Sequence, residues 1–569
     1  MKMKQENLTG YPSIDKPWLK YYSKEAIEAN VPECTVYQNI YDHNKEHLED
    51  IALLYFGKKI SYRKMFAEIE KAEKAFVAQG VKCGDNVTLC VPATPEAIYS
   101  ILALNKIGAN ANMLNPTFTT QQLADRINET GATILLVVNE LYDSVKDAIA
   151  QTSIKTVISY PAVNALGTFV KVIKKAKDIP GTLSWNEFIR QGKDSGKSES
   201  VSYKKDTPAI MVYSSGTTGA SKGIQLTNDG VNSTIVQYEF AGFQMERQDR
   251  YFAQIPIWFS TGLVVTMLVP LCLGVTTILE PLYDFEVFYQ HIEKYKPNFL
   301  ITAVGLVDYL RSKKEISPAY KAFKYLVIGG EYVAPHAEIV FNEWLAKNGS
   351  PSKLHKGYGM CECGGTVTTT LAQNNKIGAS GVPLAKVTVA AFDLQTGEEL
   401  KYGQRGEIRV LTPCRMAGYY KRPDATAEYL KTDKNGNIWA CTGDMGYVTE
   451  DGNVYVSGRI SDSYKDLHGN TIYLFDIERA VLSVEEIRQC KAVVSEVNGE
   501  QTHVAHISLY KGEKITDALI QQIKTVCEEK LPKSHQLHFL KIHDALPVAP
   551  SGKLNTAQMK ADIQNLINI

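Results

Sequence analysis

The sequence predicts an α/β fold: layered units with largely parallel sheets, then a small β-rich subdomain, then a last α/β unit. Three observations predict it. Short apolar, β-branched runs alternate with amphipathic helical stretches through the first two thirds of the chain. From about residue 388 the texture changes to short strands and turns, at 388–393, 406–411, 446–448 and 454–457. Beyond Arg459, a helix around 477–482, strands at 491–497 and 503–510, and a helix at 515–530 closed by Pro532 make the final unit. A chain of 569 residues exceeds one ordinary core and suits two or three folding units. It carries no repeat of fixed period.

The elements follow in order. An aromatic-rich N-terminal arm precedes a hairpin-like run, 51–56 and 60–62, with Gly57-Lys58-Lys59 between. Residues 63–79 read as a helix with Met65, Ile69, Ala72 and Phe76 on one face and Gly80 as its stop. A strand at 87–91, a helix at 95–108 and a strand and turn at 109–116 come next. Further strands fall at 134–138, 156–159, 298–302 and 325–328. The polar segment 191–207 is a loop leading into the apolar run 209–213.

No charge occurs between Tyr251 and Glu280, a length that would admit a membrane span. Gln254, Pro256, Gly262, Pro270 and Gly274 interrupt it, and β-branched residues crowd its second half. A buried helix followed by a buried strand at 275–279 is the expectation, with no transmembrane segment.

Composition excludes several classes. Lys+Arg 62 against Asp+Glu 62 gives no global field for nucleic acid. The N-terminus lacks the apolar run of a secretory signal. Ten cysteines, mostly in apolar runs, read as reduced thiols of a cytoplasmic protein. Cys361 and Cys363 form a close pair with no second pair at zinc spacing, and His503 and His506 fall in an alternating, strand-like run.

The stretch richest in chemistry is Tyr213-Ser214-Ser215-Gly216-Thr217-Thr218-Gly219-Ala220-Ser221-Lys222-Gly223. Its glycines let backbone N–H groups approach phosphate oxygens, its hydroxyls add donors, and Lys222 adds a point charge. A Walker loop needs Gly before the Lys and Ser or Thr after it; here Ser221 precedes and Gly223 follows. Apolar runs flank it on both sides (209–213 and 224–226), so it connects strand to strand before Thr227-Asn228 starts a helix.

With this loop, a set of ordered motifs resembles those of the adenylate-forming enzymes, most of all the acyl-CoA synthetases, from about 60 to 554. The resemblance implies a large N-terminal domain (1–458) of layered α/β subdomains plus the β-rich subdomain. It also implies a hinge at 459–462 and a small mobile α+β C-terminal domain (463–569). Ser214, Ser215, Gly216, Thr217, Thr218, Gly219 and Lys222 would hold the β- and γ-phosphates of ATP; Ser221 stands where the family usually has Pro. Gly330 and Glu331, in Gly329-Gly330-Glu331, resemble the segment lying against adenine. Tyr358-Gly359-Met360-Cys361-Glu362 resembles Tyr-Gly-x-Thr-Glu, so Tyr358 would stack on adenine and Glu362 ligate Mg²⁺. Cys361 replaces a phosphate-facing Thr, and a thiol is a weak donor. Gly359 stands where acetate-specific members carry a bulky residue, which implies an acyl pocket open to larger acids.

Asp444, in Thr442-Gly443-Asp444, resembles the ribose-binding carboxylate, and Arg459 would also touch the nucleotide. Ser461 holds the pivot position, usually Asp or Lys, with Asp462 beside it. Lys465 and Gly469 mark the thiol-entry loop, which carries one residue more than usual before the glycine. Lys553, in Pro547-Val548-Ala549-Pro550-Ser551-Gly552-Lys553, resembles the catalytic lysine. A cation bridging carboxylate and α-phosphate neutralises two approaching anions and holds the in-line geometry. Trp258 and Phe259 resemble the segment beside the acyl pocket. An Asp that would pair with an α-ammonium is absent there, which argues against an amino acid.

The implied activity is ATP-dependent conversion of a fatty or aromatic carboxylic acid to its adenylate, then transfer to the thiol of CoA. An acyl-AMP ligase loading the phosphopantetheine of a carrier protein is the alternative. A non-catalytic nucleotide-binding protein is the third reading, and the presence of Lys553, Glu362 and Asp444 argues against it. A monomer or homodimer is expected.

Overall fold

In the computed structural model, residues 8–166, 179–196, 201–214, 221–313, 316–466, 468–510, 512–548 and 554–569 are described. Two large sheets organise the larger part of the chain. The eight-stranded sheet runs Gly418–Tyr419, Gly223–Thr227, Pro208–Tyr213, Asn110–Met113, Asn86–Cys90, Ile134–Val138, Thr156–Tyr160, Leu183–Ser184. Its centre is parallel, and Gly223–Thr227 returns antiparallel beside Pro208–Tyr213, the strand-to-strand connection expected of the glycine-rich loop. The nine-stranded sheet runs Val382–Pro383, Thr368–Thr369, Leu354–Tyr358, Tyr325–Gly329, Phe299–Thr302, Arg250–Ala253, Thr276–Leu279, Ile51–Tyr55, Lys58–Ser61.

Helices Tyr62–Ala78, Pro95–Ile107 and Asn228–Phe240 share one continuous core with both sheets, uniting Leu89 and Ile210 of the first with Tyr251 and Val327 of the second. Parallel strands covered on both faces explain the unbroken apolar runs of the sequence. The opposite face of the nine-stranded sheet, Phe252, Leu300, Leu326 and Ile328, belongs to a separate core under Phe285–Tyr295 and Pro335–Lys347.

The charge-free stretch is a buried helix and strand as expected, with one difference. Thr261–Leu268 is π-helical, continues as the short α-helix Val269–Cys272, and precedes the strand Thr276–Leu279. A β-carbon on Gly262 would lie 2.1 Å from the Pro256 carbonyl oxygen, so only glycine lets this helix start against the preceding turn. Among the described residues, no helix is long and apolar enough to cross a membrane.

The N-terminal arm forms short helices that periodicity could not show. Ser23 and Thr35 cap two of them, accepting from the N–H of Ala26 and Gln38. The arm straps the nine-stranded sheet to the β-rich region: Tyr22 donates to the carbonyl of Pro383, on that sheet's edge strand, at 2.9 Å, and the Ser13 N–H to Glu399 at 2.9 Å.

The β-rich subdomain is a five-stranded antiparallel sheet built on Thr388–Phe392, Gly406–Leu411, Leu430–Thr432, Ile438–Val448 and Val454–Arg459. Past Arg459 the chain makes a small unit with its own apolar core around Ile477, Ile507, Ile523 and Leu540. That unit holds the hairpin of Ser463–Lys465 and Thr471–Tyr473 and a four-stranded mixed sheet. It meets the rest of the chain through ion pairs, Arg405 to Asp476 at 3.1 Å and Arg488 to Asp308 at 3.1 Å.

Candidate active site

The site forms where the C-terminal ends of the central parallel strands face the β-rich sheet. Strand Leu354–Tyr358 ends on Tyr358, and its neighbour Tyr325–Gly329 ends on the Gly329-Gly330 turn, with Gly330 at φ +82°. Strands Ile438–Val448 and Val454–Arg459 place Asp444 directly across from Arg459. Tyr358 donates to one Asp444 oxygen at 2.6 Å, and the Arg459 Nε lies 3.0 Å from the other. The Thr442 hydroxyl accepts from the Asp444 N–H at 3.0 Å, and Arg459 Nη1 donates to the Thr442 carbonyl at 3.0 Å. Burial pushes the Asp444 carboxyl above its usual range, against the opposing pull of Arg459 and the Tyr358 hydroxyl. Each oxygen still has a lone pair to spare, so the carboxylate can accept two further hydroxyl donors.

A second cluster joins the loop to the Tyr358 segment. Glu362 lies in the short helical turn Cys361–Cys363 and accepts from the Tyr419 hydroxyl at 2.9 Å. Its backbone carbonyl accepts from the Met416 N–H at 2.8 Å. The Lys222 ammonium sits 4.8 Å from the centre of the Tyr419 ring, a cation–π contact. Tyr419 thus links Lys222 to Glu362, a role the motifs do not reveal. The signal available in the sequence is Gly418-Tyr419-Tyr420 ahead of Pro423, a turn-flanked aromatic pair that carries no chemistry on its own.

The two ends of the glycine-rich loop are tied to each other. The Ser214 N–H donates to the Lys222 carbonyl at 3.0 Å, and the Lys222 N–H to the Ser214 hydroxyl at 3.0 Å. Ser221 donates to the Ser214 carbonyl at 2.5 Å, a clasp a proline could not make. Ser215, Gly216, Thr217, Thr218 and Gly219 lie outside the described residues, as does Lys553. The chain on either side of the lysine segment is tied together, with the Asn555 N–H donating to the Pro547 carbonyl at 2.8 Å.

Beside Tyr358 lies a cavity of about 270 Å³ lined by Phe259, Gly330, Gly359 and Cys361 together with apolar and aromatic side chains. Among the described residues, no acidic one lines it. Trp258 packs against the main core next to Phe259 and is not part of the lining. A β-carbon on Gly359 would lie 2.2 Å from the Gly365 carbonyl oxygen, so glycine is needed there for backbone passage as well as for room in the cavity. Glu331 does not enter the cavity lining. Its carboxylate caps helix Val304–Ser312, accepting from the Val304 N–H at 2.5 Å.

The predicted hinge residues form the turn Ile460–Asp462. Asp462 bonds Lys491 at 2.7 Å, and Lys491 also reaches Glu478 at 2.9 Å, so Asp462 is tied into the small unit. Lys465 ends a hairpin strand, and Gly469, at φ +81°, sits in the turn beyond it. Asp466 accommodates the longer turn by accepting from the N–H groups of His468 and Asn470.

Comparisons with known proteins show the family and the fold. The AMP-binding enzyme family matches residues 40–420. A long-chain-fatty-acid–CoA ligase of Bacillus subtilis is 26% identical over 565 residues, 95% of this chain and 96% of the relative. A 4-coumarate–CoA ligase of Vanilla planifolia is 26% identical over 492 residues, 85% of this chain and 84% of the relative. The crystal structure of an anthranilate CoA ligase in complex with anthranoyl-AMP has a TM-score of 0.79 at 18% identity, covering 93% of this chain and 97% of that one. At that identity the likeness is one of fold.

Proposed function

The chain belongs to the AMP-binding enzyme family, and on that premise we propose that it activates an apolar carboxylic acid, fatty or aromatic, with ATP and transfers it to the thiol of CoA. One observation carries this reading. The Tyr358–Asp444–Arg459 cluster and the Lys222–Tyr419–Glu362 cluster meet, through Tyr358 and through Cys361 next to Glu362, an apolar cavity that no described carboxylate lines. The relatives named as CoA ligases support the acceptor.

Asp444 takes the ribose hydroxyls on its spare lone pairs, and Arg459 fixes the carboxylate that receives them. Tyr358 and the Gly329-Gly330 turn offer adenine a ring and an open backbone. Lys222 and the hydroxyls of the loop meet the β- and γ-phosphates, with Ser221 closing the loop's base. Glu362 fits a hard cation: Tyr419 holds one carboxylate oxygen, and the other makes no hydrogen bond among the described residues. A Mg²⁺ ion held there would neutralise phosphate charge. Lys553 bridges the attacking carboxylate and the α-phosphate, stabilising charge that develops in the transition state.

The division into a large domain (1–458), a hinge (459–462) and a small domain (463–569) serves the second half-reaction. Rotation about Ser461, with Asp462 travelling on Lys491, withdraws Lys553 and brings Lys465 and Gly469 toward the thiol. The test is a panel of alkyl and aryl acids incubated with ATP and hydroxylamine, with and without CoA. Hydroxamate without CoA and acyl-CoA with it are expected. Adenylate that CoA does not accept but an acyl carrier protein does would replace the acceptor. No adenylate with any apolar acid would overturn the reading.

A further inference from the structure

We infer that the acyl site is a slot along one face of the nine-stranded sheet and selects a short-to-medium acid bearing a hydroxyl or carbonyl oxygen at its far end, bound by Tyr251. The inference rests on the acyl-activating reading above and names the acid. Side chains on one face of a strand alternate with those on the other. Tyr325, Val327 and Gly329 therefore share a face, and register places Phe299 and Tyr251 in the row of Tyr325, Ile301 in the row of Val327 and Gly357 in the row of Gly329. All of these line the cavity. It thus runs from the glycine turns at the C-terminal strand ends, beside Tyr358, to an aromatic row at the N-terminal ends.

Length follows from the same register. Four residues separate Tyr325 from Gly329, a run of about 13 Å at about 3.3 Å per residue. Bonds of about 1.5 Å in zigzag advance an alkyl chain about 1.25 Å per carbon, so the slot takes about ten chain atoms. Its far end is walled by packed rings: Phe243 lies 5.0 Å from Tyr238 and 4.7 Å from Tyr325, and Tyr251 stacks on Phe299 at 5.9 Å.

Chemistry at that wall is uneven. Of the tyrosines lining the slot, Tyr238 pairs with the Thr366 hydroxyl at 2.9 Å, Tyr325 donates to the Thr370 carbonyl, and Tyr358 donates to Asp444. Tyr251 is 1% exposed, and its hydroxyl makes no hydrogen bond among the described residues. That hydroxyl is not sealed in the core and the residue lines the cavity, so a substrate oxygen inside the slot can pair with it in place of water. A site that pairs with a substrate oxygen discriminates against the analogue lacking it, because the protein group is then left unpaired.

The experiment compares adenylate formation, trapped as hydroxamate, within matched pairs: 10-hydroxydecanoate against decanoate, and 4-hydroxycinnamate against cinnamate. Hexadecanoate probes length. Wild type, Tyr251→Phe and Tyr238→Phe are compared, the last removing a hydroxyl that is already paired. We expect wild type to favour the hydroxylated member of at least one pair tenfold or more in kcat/KM. Tyr251→Phe should bring the kcat/KM ratio within that pair to about one, Tyr238→Phe should retain the preference, and hexadecanoate should react at least tenfold less well than decanoate. Adenylate formation without a hydroxyl preference, or with one that survives Tyr251→Phe, would overturn the proposal alone; so would hexadecanoate matching decanoate. No adenylate from any acid would overturn the acyl-activating reading with it.

Discussion

The two ends of one sheet face differ in how they are held. At the C-terminal strand ends, Tyr358 is fixed by Asp444 and Arg459, which arrive from a different sheet. At the N-terminal ends, Tyr251, Phe299 and Tyr325 are fixed by neighbours in the same sheet and by each other's rings. The first end depends on individual hydrogen bonds between distant segments, the second on alternation and packing. Single substitutions should therefore cut activity sharply at the polar end and shift only specificity at the apolar end.

The largest effect expected is from Lys553→Ala. Adenylate formation should fall by roughly a hundredfold or more, the scale of a lost transition-state charge contact. The transfer of pre-formed adenylate to CoA should stay largely intact, and equal loss in both half-reactions would contradict the assigned role. Asp444→Ala comes next. It strips the acceptor from Tyr358 and Arg459, so the KM for ATP should rise roughly tenfold to a hundredfold, in keeping with about 1.5–3 kcal/mol for a hydrogen bond to a charged group. An unchanged KM would detach the polar cluster from the nucleotide.

Tyr419→Phe is milder. It keeps the ring under Lys222 and removes only the bond to Glu362, so a fall of about tenfold, near 1.4 kcal/mol, is expected in kcat/KM for ATP. A higher Mg²⁺ requirement should accompany it, which a loss of packing alone would not produce.

The smallest effect on the site comes from the small unit, where His506 Nδ1 meets His543 Nε2 at 2.8 Å. Burial, then the neighbouring His543, pulls the His506 pKa down to about 4, with Asp562 opposing and Lys541 adding to the fall. The depressed group stays neutral in the fold while the unfolded chain protonates. Its stabilisation is therefore complete above about pH 6.5 and is lost as pH falls toward 4. Thermal unfolding followed from pH 7 to 4.5 should show a loss on the order of 2 kcal/mol that His506→Leu flattens. Adenylate formation at pH 7 should be unaffected by that substitution.

The same contrast explains what is legible in the sequence. Glycines, hydroxyls and charged residues at fixed offsets mark the polar end, so Ser214, Lys222, Tyr358, Asp444 and Arg459 stand out from the motifs alone. Strand positions are also plain, because runs such as 134–138 and 325–328 are apolar throughout. Tyr251 and Phe299 are invisible as site residues for that very reason: a core strand and a pocket wall use the same side chains. Tyr419 escapes because its role exists only once strand Gly418–Tyr419 pairs with Gly223–Thr227. The arm helices escape because five residues (Lys24–Glu28) and nine (Val36–Asn44) are too few to show a helical period; capping by Ser23 and Thr35 is their one local signal.

The central claim is that the polar cluster and the apolar slot act on one molecule, joining an acid to the α-phosphate of ATP. Acid-dependent exchange of labelled pyrophosphate into ATP, without CoA, tests it most directly. The account predicts exchange that requires an apolar acid and disappears in Lys553→Ala. Exchange that proceeds without any acid, or none with any acid that the slot can hold, would contradict it.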